Sequence, residues 1–377
     1  MTMADRGQAS SAGGDAILAA VGDIHAGDRP PTVSEDLGRL LAAADVVIVN
    51  QESPLSDRGQ PHGDKSLHLR SVPAAVSLLK DLHASVAVLA NNHICDWGCE
   101  ALAQTVEVLD QAGIAHTGAG LSLEDASRPV IVKAHGVSLG ILAFSETRIQ
   151  APAAGTGAFG VAPLELQHMV RAVRELRPQV DCVIVNAHWG YTNYHYPTSA
   201  QLALGRALVE AGATLVLGHH PHVVQGIEHR GTASVAYSLG NLVFASYARH
   251  GRTIRLSREN YRGLVLIARL NRQGVVSLEY RHSCQDPAAN TLQLLGGGAA
   301  ARRDRFVRRL SRPLGSPGYA AFFKRYVLRR FVGRLLRWLD PRQWSSLNRD
   351  YLRGVRSASG LMMKKTDAGD ASRDKCP

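Results

Sequence analysis

Apolar runs of three to six residues recur along the chain, and each stops at a polar cluster. Ala16–Val21, Asp45–Val49, Val86–Leu89, Val183–Val185 and Leu215–Leu217 read as strands covered on both faces. A short apolar run bounded by Gly or polar residues is the pattern such strands leave. Between them the apolar positions switch to three-and-four spacing. Helices are expected over Ser34–Ala44, with Ser34 as cap, over Val72–Leu82 behind the first-turn Pro73, and over Glu100–Ala112, Pro163–Leu176 and Ala200–Ala211. Val130–Val132 and Leu139–Phe144 read as a hairpin around His135-Gly136, and Leu264–Leu270 with Val275–Tyr280 as a closing β-pair. Strands alternating with helices point to a layered α/β fold.

The chemistry sits where the strands stop. The five runs end in Gly22-Asp23-Ile24-His25, Asn50-Gln51-Glu52, Asn91-Asn92-His93, Asn186-Ala187-His188 and Gly218-His219-His220-Pro221-His222. In extended backbone, positions i and i+2 face the same way, so Asp23/His25 and His220/His222 each offer two ligand groups to one volume. Carboxylate and neutral imidazole both suit divalent metals. Each cluster alone has a plainer reading: a satisfied core histidine for His188, a loop carboxylate for Glu52, a surface turn for the three histidines. Five such clusters at one topological place outweigh those readings, because α/β folds gather their sites at the carboxyl ends of strands. Together they hold enough N and O donors for two metals ~3.5–4 Å apart, which would activate water and hold a phosphate-like oxygen. The polar turn that includes Asn241 is expected to line the same site.

Composition adjusts this picture in two places. The five cysteines are too few for a disulfide scaffold and favour a reducing compartment. Cys95 and Cys99, four apart, read as core or near-site thiols. The net charge of +11 is unevenly spread. Residues 301–356 carry 16 Arg and Lys against Asp304, Asp340 and Asp350, which leaves the first 300 residues slightly acidic. That argues against a nucleic-acid groove in the body and for an added basic module, so no nucleic-acid partner is expected. No signal peptide and no membrane-spanning run is found, so a cytoplasmic protein is expected, at most peripheral at the inner membrane face.

The order of these stretches resembles the calcineurin-like metallophosphoesterases: GDxH, a bridging carboxylate, an Asn-His pair, a lone His, then GHxH. It is most similar to the CapA branch, the bacterial poly-γ-glutamate capsule synthesis proteins. Asn50-Gln51-Glu52-Ser53-Pro54, Leu89-Ala90-Asn91-Asn92-His93 with Asp96 and Gly98, His188-Trp189-Gly190, Gly218–Gly226 and Tyr237–Asn241 carry the likeness, over roughly Ile17–Ala245. Two departures stand out. The bridging position holds Glu52 where phosphoesterases usually carry Asp, and many CapA relatives have a non-ligand residue where His25 stands.

The resemblance implies an α/β, metallophosphatase-like β-sheet sandwich flanked by helices, with a C-terminal helical extension. It implies that Asp23, His25 and His222 hold one divalent ion and Asn92, His188 and His220 the other, with Glu52 bridging and His93 as general acid. The ions would be Mn, Fe or Zn. Asn50, Asn91, Trp189, His219 and Asn241 lie in the matching stretches and are expected to contact substrate. The expected function is a two-metal hydrolase of a phosphorylated or polymer-related small substrate in capsule or poly-γ-glutamate biosynthesis. The alternatives are a non-catalytic accessory protein of polymer assembly and metal-dependent amide-bond chemistry. The domain reading is a disordered leader over 1–14, a CapA/metallophosphatase-like domain over 15–285, a linker over 286–300, a basic amphipathic helical extension over 301–356 and a disordered tail over 357–377. The extension fits either an anionic membrane surface or packing on the α/β body with a solvated basic face.

Overall fold

The computed structural model describes residues 14–339, apart from 64, 148–151, 156–157, 250–251 and 255. It divides into a first unit that runs to Gly315 and a second that begins at Ser316. The expected tail and most of the expected leader lie outside the described residues.

The first unit is built on two large sheets. One has nine strands, and its parallel core is Ala16–His25, Val46–Gln51, Val86–Val88 and Ala115–Thr117 in that order. The hairpin Arg262–Asn271 and Gly274–Asp286 joins antiparallel beside the first strand, as the closing-pair reading expects. The other sheet has six strands, with Val137–Ser145, Cys182–His188, Leu215–His219 and Ala233–Ala236 parallel in its centre. Val130–Ala134 forms the expected hairpin with Val137–Ser145.

Alternation along each strand decides which layer a residue enters. Leu18, Ala20, Val46, Ile48, Val86 and Val88 point between the sheets, where they meet Leu139, Ile141, Ile184, Leu215 and Leu217 of the second sheet. Their neighbours Ala19, Val21, Val47, Val49 and Ala87 point the other way. There they pack under Leu37 and Leu41 of the helix Glu35–Ala42 and under Leu102 and Leu109 of the helix Gly98–Gln111. The helices Leu166–Leu176 and Ser199–Ala211 cover the outer side of the second sheet. The layers are therefore helix, sheet, sheet, helix: the sandwich flanked by helices that the resemblance implies. Thr198 and Gln201 close a capping box at the start of Ser199–Ala211, and Gly212 in the left-handed region ends that helix.

The carboxy-terminal boundary differs from the sequence reading. The stretch read as a linker contains the strand Thr291–Leu294, which pairs with Gly274–Asp286 and Thr32–Val33. The helix Gly297–Ser311, read as the start of a separate extension, belongs to the first unit. It buries Val307 and Leu310 against Ile227–Arg230 and Gly274–Asp286, and its buried Arg303 pairs with Glu259 at 2.8 Å. The second unit holds one described helix, Tyr319–Leu339. No described helix is long and apolar enough to cross a membrane.

Candidate metal centre

The five strand ends meet at one end of the two-sheet sandwich. Asp23 lies near the end of Ala16–His25, and Glu52 follows Val46–Gln51, its N–H donating to the Ile24 carbonyl at 2.9 Å. Asn92 and His93 follow Val86–Val88, and His188 closes Cys182–His188. Two glycines let backbones approach here. A Cβ on Gly22 would stand 2.0 Å from the Gly240 carbonyl oxygen, and one on Gly218 would stand 1.9 Å from that of Tyr237. Only glycine fits either position.

The histidine segment is not extended. The strand ends at His219, and His220 (φ 89°) and His222 (φ 57°) both occupy the left-handed region. For non-glycine residues this costs about 1–3 kcal/mol each and is found where function over-determines the backbone. The two imidazoles still converge, with ring centroids 5.5 Å apart, but a strained turn brings them together rather than strand alternation. Alternation also fails to pair Asp23 with His25. The ladders of Ala16–His25 shift register on both sides of Asp23, and such irregularities re-aim side chains. His25 Nδ1 meets Ser53 Oγ at 3.0 Å, and its ring packs edge-on against Phe244.

The remaining donors form one connected cluster. Asp23 Oδ2 lies 3.1 Å from His222 Nδ1. His188 Nε2 lies 2.7 Å from Asn92 Oδ1 and 3.2 Å from His220 Nδ1. Between these two sets sits Glu52 Oε1, 3.6 Å from His188 Nε2 and 3.9 Å from His222 Nε2. Ligand atoms of Glu52, His220 and His222 lie within 4.8 Å of one another, as do those of Asp23, Glu52 and His188. His25 is in neither group.

The electrostatics of the cluster call for positive charge. Burial, with the nearby Asp23 charge, pushes the Glu52 carboxyl well above the usual carboxylate range. Burial would raise Asp23 as well, but hydrogen bonds from His219 and His222 hold it well below that range. Burial opposes a charge on His222, yet its hydrogen bond to Asp23 and the carboxylate of Glu52 raise it to about 9. Burial lowers His188 well below the usual imidazole range, and lowers His25 and His220 to about 3. Most of these imidazoles are thus neutral and ligand-competent. Glu52 Oε1 and His188 Nδ1 are buried with no hydrogen-bond partner, a costly state that a bound cation beside the carboxylate would relieve. The residues present fit divalent ions in both donor chemistry and this orphaned oxygen. Cys95 packs in the apolar core, where burial pushes its thiol up to about 12.

A cavity of about 500 Å³ opens beside the cluster, lined by Asn92, His93, His188, His220, His222 and Asn241 together with the exposed Tyr191 and Thr192 and the buried Phe244. Of the residues expected to contact substrate, only Asn241 lines it, and Asn241 Oδ1 also lies 3.0 Å from His222 Nδ1. The other four stand behind the cluster. Asn50 donates to Asp23 Oδ1 at 2.8 Å and to Glu52 Oε2 at 3.0 Å. Asn91 donates to the Gln51 carbonyl at 2.7 Å and accepts from the His93 N–H at 3.0 Å. His219 Nδ1 lies 3.0 Å from Asp23 Oδ1, and the Trp189 indole donates to the Tyr237 carbonyl at 3.0 Å. All four are buried to 2% exposure or less and are absent from the cavity lining. A strand end that carries polar residues on both faces sends one set into the cavity and the other into the scaffold.

Two residues without an assigned role hold His93 from behind the cavity wall. Asp96 Oδ2 lies 2.6 Å from His93 Nδ1 and accepts from the Leu69 N–H at 2.7 Å, while Lys65 Nζ reaches Asp96 Oδ1 and the Asn92 carbonyl. The three-residue spacing of His93 and Asp96 is a signal the sequence offers. Lys65 has none, because it lies in a polar loop whose path no periodicity fixes.

The protein is thus a layered α/β protein with a buried His/Asn/carboxylate cluster of metal-ligand type at the strand ends. It belongs to the family described as bacterial capsule synthesis protein PGA_cap, whose model matches residues 10–246. It is similar to the PGA biosynthesis protein CapA of Bacillus subtilis, 33% identical over 243 residues covering 61% of this chain and 64% of that protein. It is also similar to the capsule biosynthesis protein CapA of Bacillus anthracis, 31% identical over 211 residues covering 54% and 51%. The chain therefore spans between half and two thirds of these relatives' length. Among solved structures, a 5′-nucleotidase precursor from Thermus thermophilus aligns with TM-score 0.44 and 17% identity, covering 73% of this chain and 55% of that one.

Proposed function

We propose that this protein is a metal-dependent hydrolase of capsule or poly-γ-glutamate biosynthesis, cleaving a phosphate ester, phosphoanhydride or acyl phosphate. The observation that carries this reading is Glu52 Oε1: a buried carboxylate oxygen without a hydrogen-bond partner, lying between an Asp23/His222 pair and an Asn92/His188/His220 set. Asp23 and His222 would hold one divalent ion, Asn92, His188 and His220 the other, and Glu52 would bridge. His25, aimed at Ser53, is the weakest of the expected ligands. Bound divalent ions would polarise the substrate and lower the pKa of water.

The chain's own residues supply orientation and a proton. His93 lines the cavity with Nδ1 engaged by Asp96, so as general acid it would give a proton from Nε2 of the imidazolium, a form that Asp96 favours although burial lowers the His93 pKa. Asp96 is held in turn by Lys65 and the Leu69 N–H, so the imidazole cannot swing. Asn50 and His219 hold the carboxylates of Asp23 and Glu52 in place. The volume of about 500 Å³ suits a small phosphorylated substrate or the end of a polymer.

Metal content of the purified protein beside His220→Ala, followed by an aryl phosphodiester assay with added Mn, tests this reading. About two ions per chain, lost in the variant together with turnover, is the expected result. Metal without turnover, and a His93→Ala variant that behaves as wild type in cells, would overturn catalysis in favour of an accessory role in polymer assembly.

A further inference from the structure

We propose that the helix Tyr319–Leu339 is a docking element for an anionic lipid surface. This rests on the second unit alone and is independent of the metal centre. The helix is 21 residues long and contains no Asp or Glu, while Lys324, Arg325, Arg329, Arg330, Arg334 and Arg337 supply six positive charges. Four of its apolar residues stand in the open. Leu328, Phe331, Val332 and Leu336 are 60%, 63%, 42% and 62% exposed. They account for four of the nine large hydrophobic side chains exposed among the described residues, and they fall within nine consecutive positions.

Their spacing is i, i+3, i+4 and i+8, which puts them on one face of a helix. Single exposed hydrophobics are ordinary, but a contiguous stripe marks an interaction surface. The exposed Lys324 and Arg325 lie one turn before Leu328 on that same face, and Arg329 lies three residues before Val332. Cationic side chains beside a row of Leu, Phe and Val match a bilayer on both counts. Phosphate headgroups take the charge, and the acyl boundary takes the apolar stripe. Long basic stems can reach the headgroups while the stripe lies deeper.

Other occupants fit less well. A second copy of this helix would bring six cations against six with no acid to offset them. A nucleic acid would take the charge but leave Phe331 and Leu336 in water. The helix lies on a bilayer instead of crossing one, because no part of it is apolar enough to span.

The experiment is co-sedimentation of the full chain with vesicles of phosphatidylcholine alone and of phosphatidylcholine mixed with phosphatidylglycerol, at low and high salt. Binding to the mixed vesicles only, weakened by salt, is expected. Lys324→Gln with Arg325→Gln changes two exposed positions and should weaken binding by roughly 30-fold, since each basic residue near an anionic surface contributes about 1 kcal/mol. Leu328→Asp with Phe331→Asp and Leu336→Asp should abolish it. No sedimentation of wild type with the mixed vesicles would overturn the proposal, as would binding that both variants retain. So would a concentration-dependent dimer, seen by analytical ultracentrifugation and lost in the triple variant.

Discussion

Glu52 is the residue on which the metal reading turns, and its two roles have opposite signs. Without metal its carboxyl is buried and its pKa is raised, so charging it costs stability as pH rises through and above the ordinary carboxylate range. Glu52→Gln removes that cost while keeping the shape. In chelated protein the variant should melt at or above the wild-type temperature at neutral pH. With Mn added, wild type should gain stability and Glu52→Gln little, since the bridging charge is gone. Thermal melts with and without metal, read beside metal content, check both signs; a chelated variant that melts well below wild type would argue for a structural carboxylate. Lys65 acts one step further away. Lys65→Met should leave the ligand atoms in place, since Lys65 meets Asn92 at its backbone carbonyl, but free Asp96, and through it the His93 ring. On the hydrolase reading kcat falls by roughly 10²-fold, within the range of a general acid's contribution. KM and metal content stay unchanged, and Lys65→Arg restores part of the loss. Equal kinetics for Lys65→Met and wild type would remove Lys65 from the mechanism.

The strand ends carry the strain that makes the site. Gly218→Ala would put a Cβ 1.9 Å from the Tyr237 carbonyl oxygen, where the neighbour is backbone and cannot yield cheaply. The cost should reach about 3 kcal/mol, the upper end for overpacking, and denaturant unfolding would show it as a lowered midpoint. Gly38→Ala is the control, because nothing lies within 4 Å of a Cβ there. The same geometry explains what the sequence could and could not reveal. Strands such as Val46–Gln51 and Cys182–His188 are buried on both faces, so an apolar run with a polar end announces both the element and its ligand. Thr32–Val33 and Thr291–Leu294 are short and pair with each other across more than 250 residues, so no local pattern marks them. The positions of Asp23, Glu52, Asn92, His188, His220 and His222 were legible for the same reason as their strands. The aim of His25, the turn at His220 and His222, and the withdrawal of Asn50, Asn91, Trp189 and His219 were not. They depend on register shifts and close backbone approaches between elements far apart in the chain.

At the scale of the first unit, the cluster joins the two sheets. Asp23, Glu52 and Asn92 come from the ends of the nine-stranded sheet, and His188, His220 and His222 from the end of the six-stranded one. An ion held by both sets would add a cross-link between layers that already meet through apolar packing and through the His219–Asp23 and His188–Asn92 contacts. Metal that binds the native state alone stabilises it by about 2.7 kcal/mol at a hundredfold excess over Kd, so chelation should lower the melting temperature of this unit as a whole. The effect should also depend on pH, with a definite sign. In metal-free protein His222 is raised to about 9 by Asp23 and Glu52 despite its burial. Its contribution is therefore full below the unfolded imidazole value near 6.5 and is lost as pH rises toward 9. Glu52, also raised, works in the same direction. As ligands, both groups must be unprotonated, so metal binding expels protons and tightens with rising pH. The gap between the melting temperatures of metal-loaded and chelated protein should widen from pH 6.5 to 9. Calorimetric titration with Mn in buffers of different ionisation enthalpy should register proton release near neutral pH. A gap that narrows over that range, or binding without proton release, would mean that His222 and Glu52 are not the groups that hold the ion.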